Sequence, residues 1–207
     1  MQGTNITKSS VQRNLRKDIV EKYPAIEPYI DSVLPKKDDL FLTKCSNKIT
    51  LISCDKAAKK DAAAESDYDL YGVPLFFQDG NGPMVPTLRL IHRRTTIIIG
   101  LFISANTRVV PVDIMPRVQV DKGAIKFILQ GADVMTPGLL SEGASLPDNL
   151  QVGDHVIVYA EGKQHALAIG KMIMSSQEAK EKRSGHAIAN LHCVCDGLWQ
   201  LERVGVK

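Results

Sequence analysis

The sequence has 207 residues, of which 44% are hydrophobic and 24% charged, values that are ordinary for a soluble globular protein. Its most hydrophobic run, Ile97–Ile103, is too short to span a membrane, and no signal peptide opens the chain, so we expect a cytoplasmic protein without membrane contact. The formal net charge is +3, and the excess lies in residues 1–115, which carry 16 Lys and Arg against 13 Asp and Glu. This excess is compatible with RNA contact but does not by itself indicate it.

Cysteine and histidine are spaced in a way that argues against a metal centre. The four cysteines are Cys45, Cys54, Cys193 and Cys195, and the C-x-C pair has no second pair at zinc-ribbon spacing. None of the five histidines has the spacing of a metal ligand. We therefore predict reduced, largely buried thiols, with neither a metal nor a cofactor.

The first predicted element is an amphipathic helix near the N-terminus. Val11, Leu15 and Ile19 recur every four residues, which places them on one face of a helix. Ser9 and Gln12 have the spacing of a capping box, which predicts the start of that helix at Ser9.

Basic residues occupy the opposite face of this helix and a turn that follows it. Arg13, Arg16 and Lys17 lie on the helix, and Lys36 and Lys37 lie in the turn. They form a candidate surface for a ribosome or a protein partner. The alternative is that they are only the solvated side of a core helix.

The remainder of the first half predicts a small α+β domain. Pro24 suits the first position of a second helix, which Pro35 ends. Three strands and a short helix follow, at Leu40–Lys44, Lys48–Cys54, Val73–Gln78 and Pro86–His92. We interpret residues 55–69 as an exposed insertion, whereas residues 93–111 are assigned to no element.

The second half changes to short strands with frequent glycine and proline turns. A glycine-rich stretch, Val120–Gly138, surrounds one short apolar helix signal. The candidate strands and helix after it are His155–Glu161, Ala166–Met174, Ser175–Lys182 (helix), Ala187–Val194 and Leu198–Val204. Such a pattern is typical of a compact β-barrel-like domain.

The glycine-rich stretch is a candidate RNA contact. Gly123 and Gly131 have no Cβ, so a ribose or backbone could come close and find N–H donors pointing outward. A helix that begins near Gly123 and Ala124 would favour a phosphate at its N-terminus. Lys122 and Lys126 are four residues apart and could flank that end, and Lys163 could add a third cation from a turn. The alternative is that these glycines only form turns and that the lysines are solvated.

Several fragments, in order along the chain, resemble one family. Those of the second half resemble the PUA domain and are Val120–Phe127, Gly131–Met135, Pro137–Gly138, Gly153–Asp154, Ala160–Leu167 and Asp196–Trp199. Those of the first half are Tyr23–Pro28, Leu34–Lys37 and Pro86–His92. Together they are similar to the malignant T-cell-amplified sequence family, which includes a yeast translation-machinery-associated relative.

The resemblance implies a fold of two domains. An α+β N-terminal (pre-PUA) domain would span residues 1–115, and a PUA β pseudo-barrel would span residues 116–207. The segments 55–69 and 93–111 are insertions relative to the family pattern. The overall class is therefore expected to be α+β.

The resemblance also implies a non-enzymatic translation factor. Family members pair with density-regulated protein through the N-terminal domain and act on the small ribosomal subunit in reinitiation, in recycling with release of deacylated tRNA, and in non-standard initiation. The RNA-binding residues would then be Lys122, Gly123, Ala124, Lys126, Gly131, Ala132 and Lys163. Two alternatives stay open: a PUA-fold protein-interaction module that binds no RNA, and an accessory subunit of an RNA-modifying enzyme.

Overall fold

The computed structural model describes residues 3–55, 72–92 and 114–204, apart from the side chains of Asn47 and Asp55. The chain divides into two compact units. One unit takes in the described residues up to Ile114 together with 201–204, and the other runs from Met115 to Gln200. The predicted insertion 93–111 lies outside the described residues, as does the predicted insertion 55–69 beyond Asp55.

The first unit contains a five-stranded antiparallel sheet whose strands follow one another in chain order. The strands are β1 (Gly3–Ile6), β2 (Asp39–Lys44), β3 (Ile49–Asp55), β4 (Phe76–Asp79) and β5 (Val85–Pro86). All four residues of the short strand β1 are exposed, and its sequence shows no alternating apolar pattern. The sequence therefore did not predict this strand. Residues 201–204 join this unit through a 2.6 Å hydrogen bond from the Val204 amide to the Gly72 carbonyl, whereas the sequence prediction had assigned them to the second domain.

Helix α1 (Ser9–Lys22) packs Leu15 and Ile19 into the core, as their spacing predicted. The predicted capping box at Ser9 is wrong, because Lys8 is the residue that precedes the helix and no side chain caps it. Gln12 instead donates its side-chain amide to the Thr7 carbonyl at 3.2 Å. The start of the helix is therefore fixed from the preceding loop rather than by Ser9.

The chain then continues through short helical turns rather than one long helix. A 3₁₀ turn spans Pro24–Tyr29, since Pro28 interrupts regular α-helical hydrogen bonding. Helix α2 (Ile30–Val33) follows, and α3 (Leu88–His92) comes after the sheet. Each of these elements buries at least one apolar side chain completely: Ile26, Val33 and Leu88 are all inaccessible to solvent.

The second unit is built on a curled half-barrel sheet of five strands. They are β6 (Arg117–Val120), β7 (Val134–Met135), β8 (His155–Ala160), β9 (Ala168–Met172) and β10 (His186–Cys193). The strand order is β6-β8-β9-β10-β7, with β6 and β8 parallel and the other pairs antiparallel. The predicted α+β class, with a small α+β unit followed by a unit built on a curled sheet, is confirmed.

Four short helices complete the second unit: α4 (Ile125–Leu129), α5 (Thr136–Leu140), α6 (Ser176–Lys182) and α7 (Gly197–Gln200). Helix α6 begins where the sequence predicted, because the Ser175 side chain accepts a hydrogen bond from the Glu178 amide at 3.2 Å. The predicted strand Leu198–Val204 is wrong. Asp196 accepts from the Trp199 amide at 2.7 Å, which starts a helical turn at this position.

The described helices do not include one that is long and apolar enough to cross a membrane.

Apolar side chains of the second unit form a core on the sheet, with Val118, Val156, Val158, Met172 and Ile188 all nearly inaccessible to solvent. Helix α4 packs on this core through Ile128, which is 1% exposed. The core thereby fixes the position of the glycine-rich stretch, which lies at its edge.

Candidate nucleic-acid interface

An open groove of about 980 Å³ lies along helix α4 and the turn that follows it. Most of its lining is apolar, with charged side chains among the lining residues. The lining comes from Asp121–Leu129, Ala132–Met135, Gly138 and His186. Five of the predicted RNA-binding residues belong to it, namely Lys122, Gly123, Ala124, Lys126 and Ala132. We call this feature the α4 groove.

Asp121 organises the start of the glycine-rich stretch. Its Oδ1 accepts a hydrogen bond from the Ala124 amide at 2.9 Å, and its Oδ2 accepts one from the Ser141 hydroxyl. The Ser141 hydrogen bond, with help from the Ala124 and Gly123 amides, lowers the pKa of Asp121 against the opposing effect of partial burial. The ionised Asp121 carboxylate therefore already occupies the N-terminal end of the 3₁₀ turn Lys122–Ala124, which leads into helix α4.

This arrangement changes the predicted role of Gly123 and Ala124. The sequence predicts that their backbone amides bind a phosphate. In the structure both amides interact with the Asp121 carboxylate. A Cβ on Gly123 would lie 3.1 Å from Asp121 Oδ1, so the glycine leaves room for this internal contact. That a phosphate binds near Gly123 and Ala124 stays a prediction, and such a phosphate would compete with the Asp121 carboxylate for these amides.

The turn after helix α4 also uses its amides internally. The Gly131 amide donates to the Ile128 carbonyl at 2.9 Å, and the Ala132 amide donates to the Phe127 carbonyl at 3.0 Å. Gly131 has φ +86°, a left-handed conformation that favours glycine, while a Cβ there would meet no atom within 4 Å. The glycine therefore serves the turn, and its amide does not point outward as predicted.

Asn190 of strand β10 holds this turn against the sheet. Its side-chain amide donates to the Ile128 carbonyl at 3.2 Å and to the Ala132 carbonyl at 3.1 Å. Its backbone amide donates to Asp133 Oδ1 at 2.9 Å, and Asp133 Oδ2 lies 3.6 Å from His186 Nδ1. Sequence reasoning missed Asn190, because its partners are about 60 residues away along the chain.

The predicted cations lie on the outer side of the stretch. Lys122 is 70% exposed in its side chain, and its Nζ lies 3.4 Å from Glu161 Oε1. The Cβ position of Gly162 lies 3.8 Å from Lys122 Cε, so the turn that carries Lys163 neighbours Lys122. Lys163 is itself exposed. The structure therefore brings Lys122 and the Lys163 turn together, although 40 residues separate them.

Two large apolar side chains in the α4 groove are exposed. Phe127 is 51% exposed and Met135 is 44% exposed. Lys126 is exposed too, and its Nζ lies 4.7 Å from the centroid of the Phe127 ring. Sequence reasoning assigned no role to Phe127. Helical periodicity could have identified Phe127 as exposed. Ile125, Ile128 and Leu129 share one face of the helix, and Phe127 lies outside that face.

The basic residues of the first unit have a different environment. Arg13, Lys17, Lys36 and Lys37 are exposed, which is compatible with the predicted partner surface. Arg16 is not, since its side chain is only 11% exposed.

The Arg16 guanidinium is hydrogen-bonded to Asp31, to which Lys36 also donates at 3.2 Å. The hydrogen bond from Lys36 is the main cause of a lowered pKa of Asp31; burial opposes it, and the hydrogen bond from Arg16 adds to it. Arg16 is therefore an internal tie between α1 and the segment that contains α2. Its place on a ribosome or partner surface stays a prediction, which the low exposure of its side chain does not favour.

The cysteines and histidines of the described residues form no metal-binding group of three or more ligands with Asp or Glu. All four cysteines are thiols outside any disulfide, with Cys54 and Cys193 buried and Cys195 exposed. His192 is 1% exposed and its Nδ1 lies 2.7 Å from Asp196 Oδ2. This pair ties the end of strand β10 to the turn before helix α7.

Two family models match the chain. A Pre-PUA-like domain matches residues 1–59, and the PUA domain of elF2D matches residues 115–197. The second match contains the whole α4 groove.

Relatives match almost the full length. Translation machinery-associated protein 20 of Schizosaccharomyces pombe is 37% identical over 97% of this chain and 92% of its own length. Malignant T-cell-amplified sequence 2 of Homo sapiens is 36% identical over 94% of this chain and 89% of its own length. A hypothetical protein of Pyrococcus horikoshii, whose crystal structure is known, is 24% identical, has a TM-score of 0.64 and covers 96% of this chain and 98% of that one. That likeness concerns the fold alone.

Proposed function

The chain belongs to the family of translation machinery-associated protein 20 and the malignant T-cell-amplified sequence proteins, and from this premise we propose that it is a non-enzymatic translation factor. Its site of action is the small ribosomal subunit, and it works in the cytoplasm. It acts in reinitiation, in recycling through release of deacylated tRNA, and in non-standard initiation. The observation that carries this proposal is the match to these relatives over almost the full length of both chains.

The second unit presents the RNA surface in this proposal. Lys122, Lys126 and Lys163 contact phosphates, since their side chains are exposed and two of them line the α4 groove. Gly123, Ala124, Gly131 and Ala132 shape the surface between them. Because the backbone amides of this stretch make internal hydrogen bonds, contact with RNA depends on the lysines and on the groove itself.

The first unit holds the protein partner, a homologue of density-regulated protein, and faces the ribosome. Arg13, Lys17, Lys36 and Lys37 are the exposed cations that support this role. They lie in the proposed N-terminal domain, residues 1–115, whereas the RNA surface lies in the proposed PUA domain, residues 116–207. One chain would thereby connect a protein partner to RNA.

Sedimentation tests the proposal directly. The full-length chain, alone and with its density-regulated partner, is mixed with purified small ribosomal subunits and separated on a sucrose gradient. We expect it to co-sediment with the subunits and to be released as salt increases, because lysine contacts to phosphate displace counterions. Failure to co-sediment in both mixtures would contradict the proposal.

A further inference from the structure

Phe127 lies outside the apolar core that holds helix α4 on the sheet. Helix α4 is held on the core by Ile128, which is 1% exposed, and by Ile125, which packs against the same core. The Phe127 ring lies outside that contact and is 51% exposed, in the same groove as the 44% exposed Met135. An aromatic ring left in water in a concave site costs hydrophobic free energy that a bound flat ligand would recover.

The charges around the ring narrow the kind of ligand. Lys126 Nζ lies 4.7 Å from the ring centroid, and Lys122 lines the same groove. The two carboxylates of the lining are engaged by protein groups: Asp121 binds Ser141 and the Ala124 amide, and Asp133 binds the Asn190 amide. The groove thus combines a half-exposed aromatic ring with two cations, one of which lies over that ring. This set suits a ligand that has a flat ring and a negative charge, since the charge can draw Lys126 from the ring on which the ligand stacks.

We propose that Phe127 is a stacking platform for an unpaired nucleobase, with Lys122 and Lys126 contacting the adjacent phosphates. The inference rests on the RNA binding proposed above and specifies its class as an unpaired RNA segment. In a duplex each base is stacked between its neighbours, so the face of a base reaches an aromatic side chain only in single strands, bulges or ends. The neighbouring Met135 would add a polarisable thioether beside the stacked base.

The test uses the full-length chain and one short labelled RNA, either single-stranded or annealed to its full complement. We expect the single strand to bind more tightly, and Phe127→Ala to weaken its binding about tenfold while changing duplex binding much less. Phe127→Tyr, which retains a stacking face, should keep the affinity. Ile173→Ala is the matched control. Ile173 is an apolar residue of the same unit that is 44% exposed, close to the 51% of Phe127, but it does not line the groove.

A double-mutant cycle with the RNA makes the test specific for stacking. One base at a time is replaced by an abasic site, and the loss at the stacked position should disappear in Phe127→Ala. If the native chain binds RNA with the expected salt dependence but Phe127→Ala changes nothing, the stacking inference is wrong while the proposed function stands. If the native chain binds no RNA, the RNA-binding part of the proposed function fails. If Phe127→Ala instead abolishes binding of the protein partner alone, the groove is a protein site and the inference is overturned.

Discussion

The basic residues of helix α1 and those of the α4 groove carry the same charge but differ in exposure and in their partners. In the first unit, Arg16 lies on a helix and is mostly buried, with its guanidinium fixed by Asp31. In the second unit, Lys126 also lies on a helix but is exposed beside an open aromatic ring. The first cation is held, mostly buried, in an ion pair, whereas the second contacts the Phe127 ring and remains accessible to a ligand.

The difference shows why a cation on a helix is not by itself a sign of a binding site. Arg16 Nη1 is buried without a hydrogen-bond partner among the described residues. The side chain therefore packs in the fold at the cost of desolvating this donor. Lys122 keeps a loose contact with Glu161 across 3.4 Å, which solvent screens. A ligand can replace a contact of the second kind but not one of the first kind.

The largest expected effect is on RNA affinity. Replacing Lys122 and Lys126 together by Gln should weaken binding of unpaired RNA roughly 20-fold at 0.1 M salt, because each lysine that no longer neutralises a phosphate lowers the salt slope by about 0.7. Titrations at several salt concentrations measure both quantities. The control replaces Lys180 and Lys182 by Gln, which removes the same charge from helix α6 outside the groove. An equal decrease of affinity in the two variants would show that only net charge matters.

The next effect is on the stability of the groove itself. Asp121→Ala removes the side-chain cap of the turn and should lower the free energy of unfolding by about 1 kcal/mol or somewhat more, measured by urea denaturation. Asp148→Ala is the comparison, since this carboxylate is 89% exposed and makes only a surface ion pair. A decrease no greater than that of the control would show that Asp121 does not hold the stretch.

Asp121 also predicts a pH dependence. Its pKa is lowered in the folded state, so its contribution to stability is complete above the ordinary pKa of an aspartate. This contribution disappears as the pH falls through the lowered value. Asp121→Asn should therefore lose less stability than the native chain between pH 5 and acid conditions of about pH 2. Identical acid limbs in the two proteins would contradict the assignment.

A smaller effect sharpens the description of Arg16. Arg16→Ala should destabilise the chain by about 1 kcal/mol, because the variant lacks both the buried stem and the hydrogen bond to Asp31. Lys17→Ala removes the same charge from the exposed neighbour and should change stability by less than about 0.5 kcal/mol. If the neighbour proves equally costly, Arg16 is not the special tie described above.

The smallest effect concerns the partner of Lys122. Glu161→Gln removes the carboxylate that competes with phosphate for this lysine and should raise RNA affinity about twofold. Fluorescence anisotropy at low salt would detect it. In a Lys122→Gln background the increase should shrink, though some remains from reduced long-range repulsion. An increase of the same size in both backgrounds would mean that the ion pair plays no part.

Local patterns were sufficient for most of the elements. The spacing of Leu15 and Ile19 predicted helix α1, and the alternation of Val156 and Val158 predicted strand β8. These succeed because the period of the apolar residues is a property of adjacent positions. Two of the errors fall at Ser9 and at Leu198–Val204, where a hydrogen bond from Gln12 and a cap by Asp196 decide the geometry.

The sequence by itself determined the two-part α+β fold, the family, and the location of a cationic, glycine-rich stretch at 120–138. Only the tertiary structure decided how that stretch is used. The amides of Ala124, Gly131 and Ala132 make internal hydrogen bonds, while Phe127 and Lys126 remain open to solvent. The physical reason is that a backbone donor or a charged side chain is free only if no partner reaches it. The partners of these amides are close in sequence and follow from the turn geometry, whereas Glu161 for Lys122 and Asn190 for the turn come from distant parts of the chain.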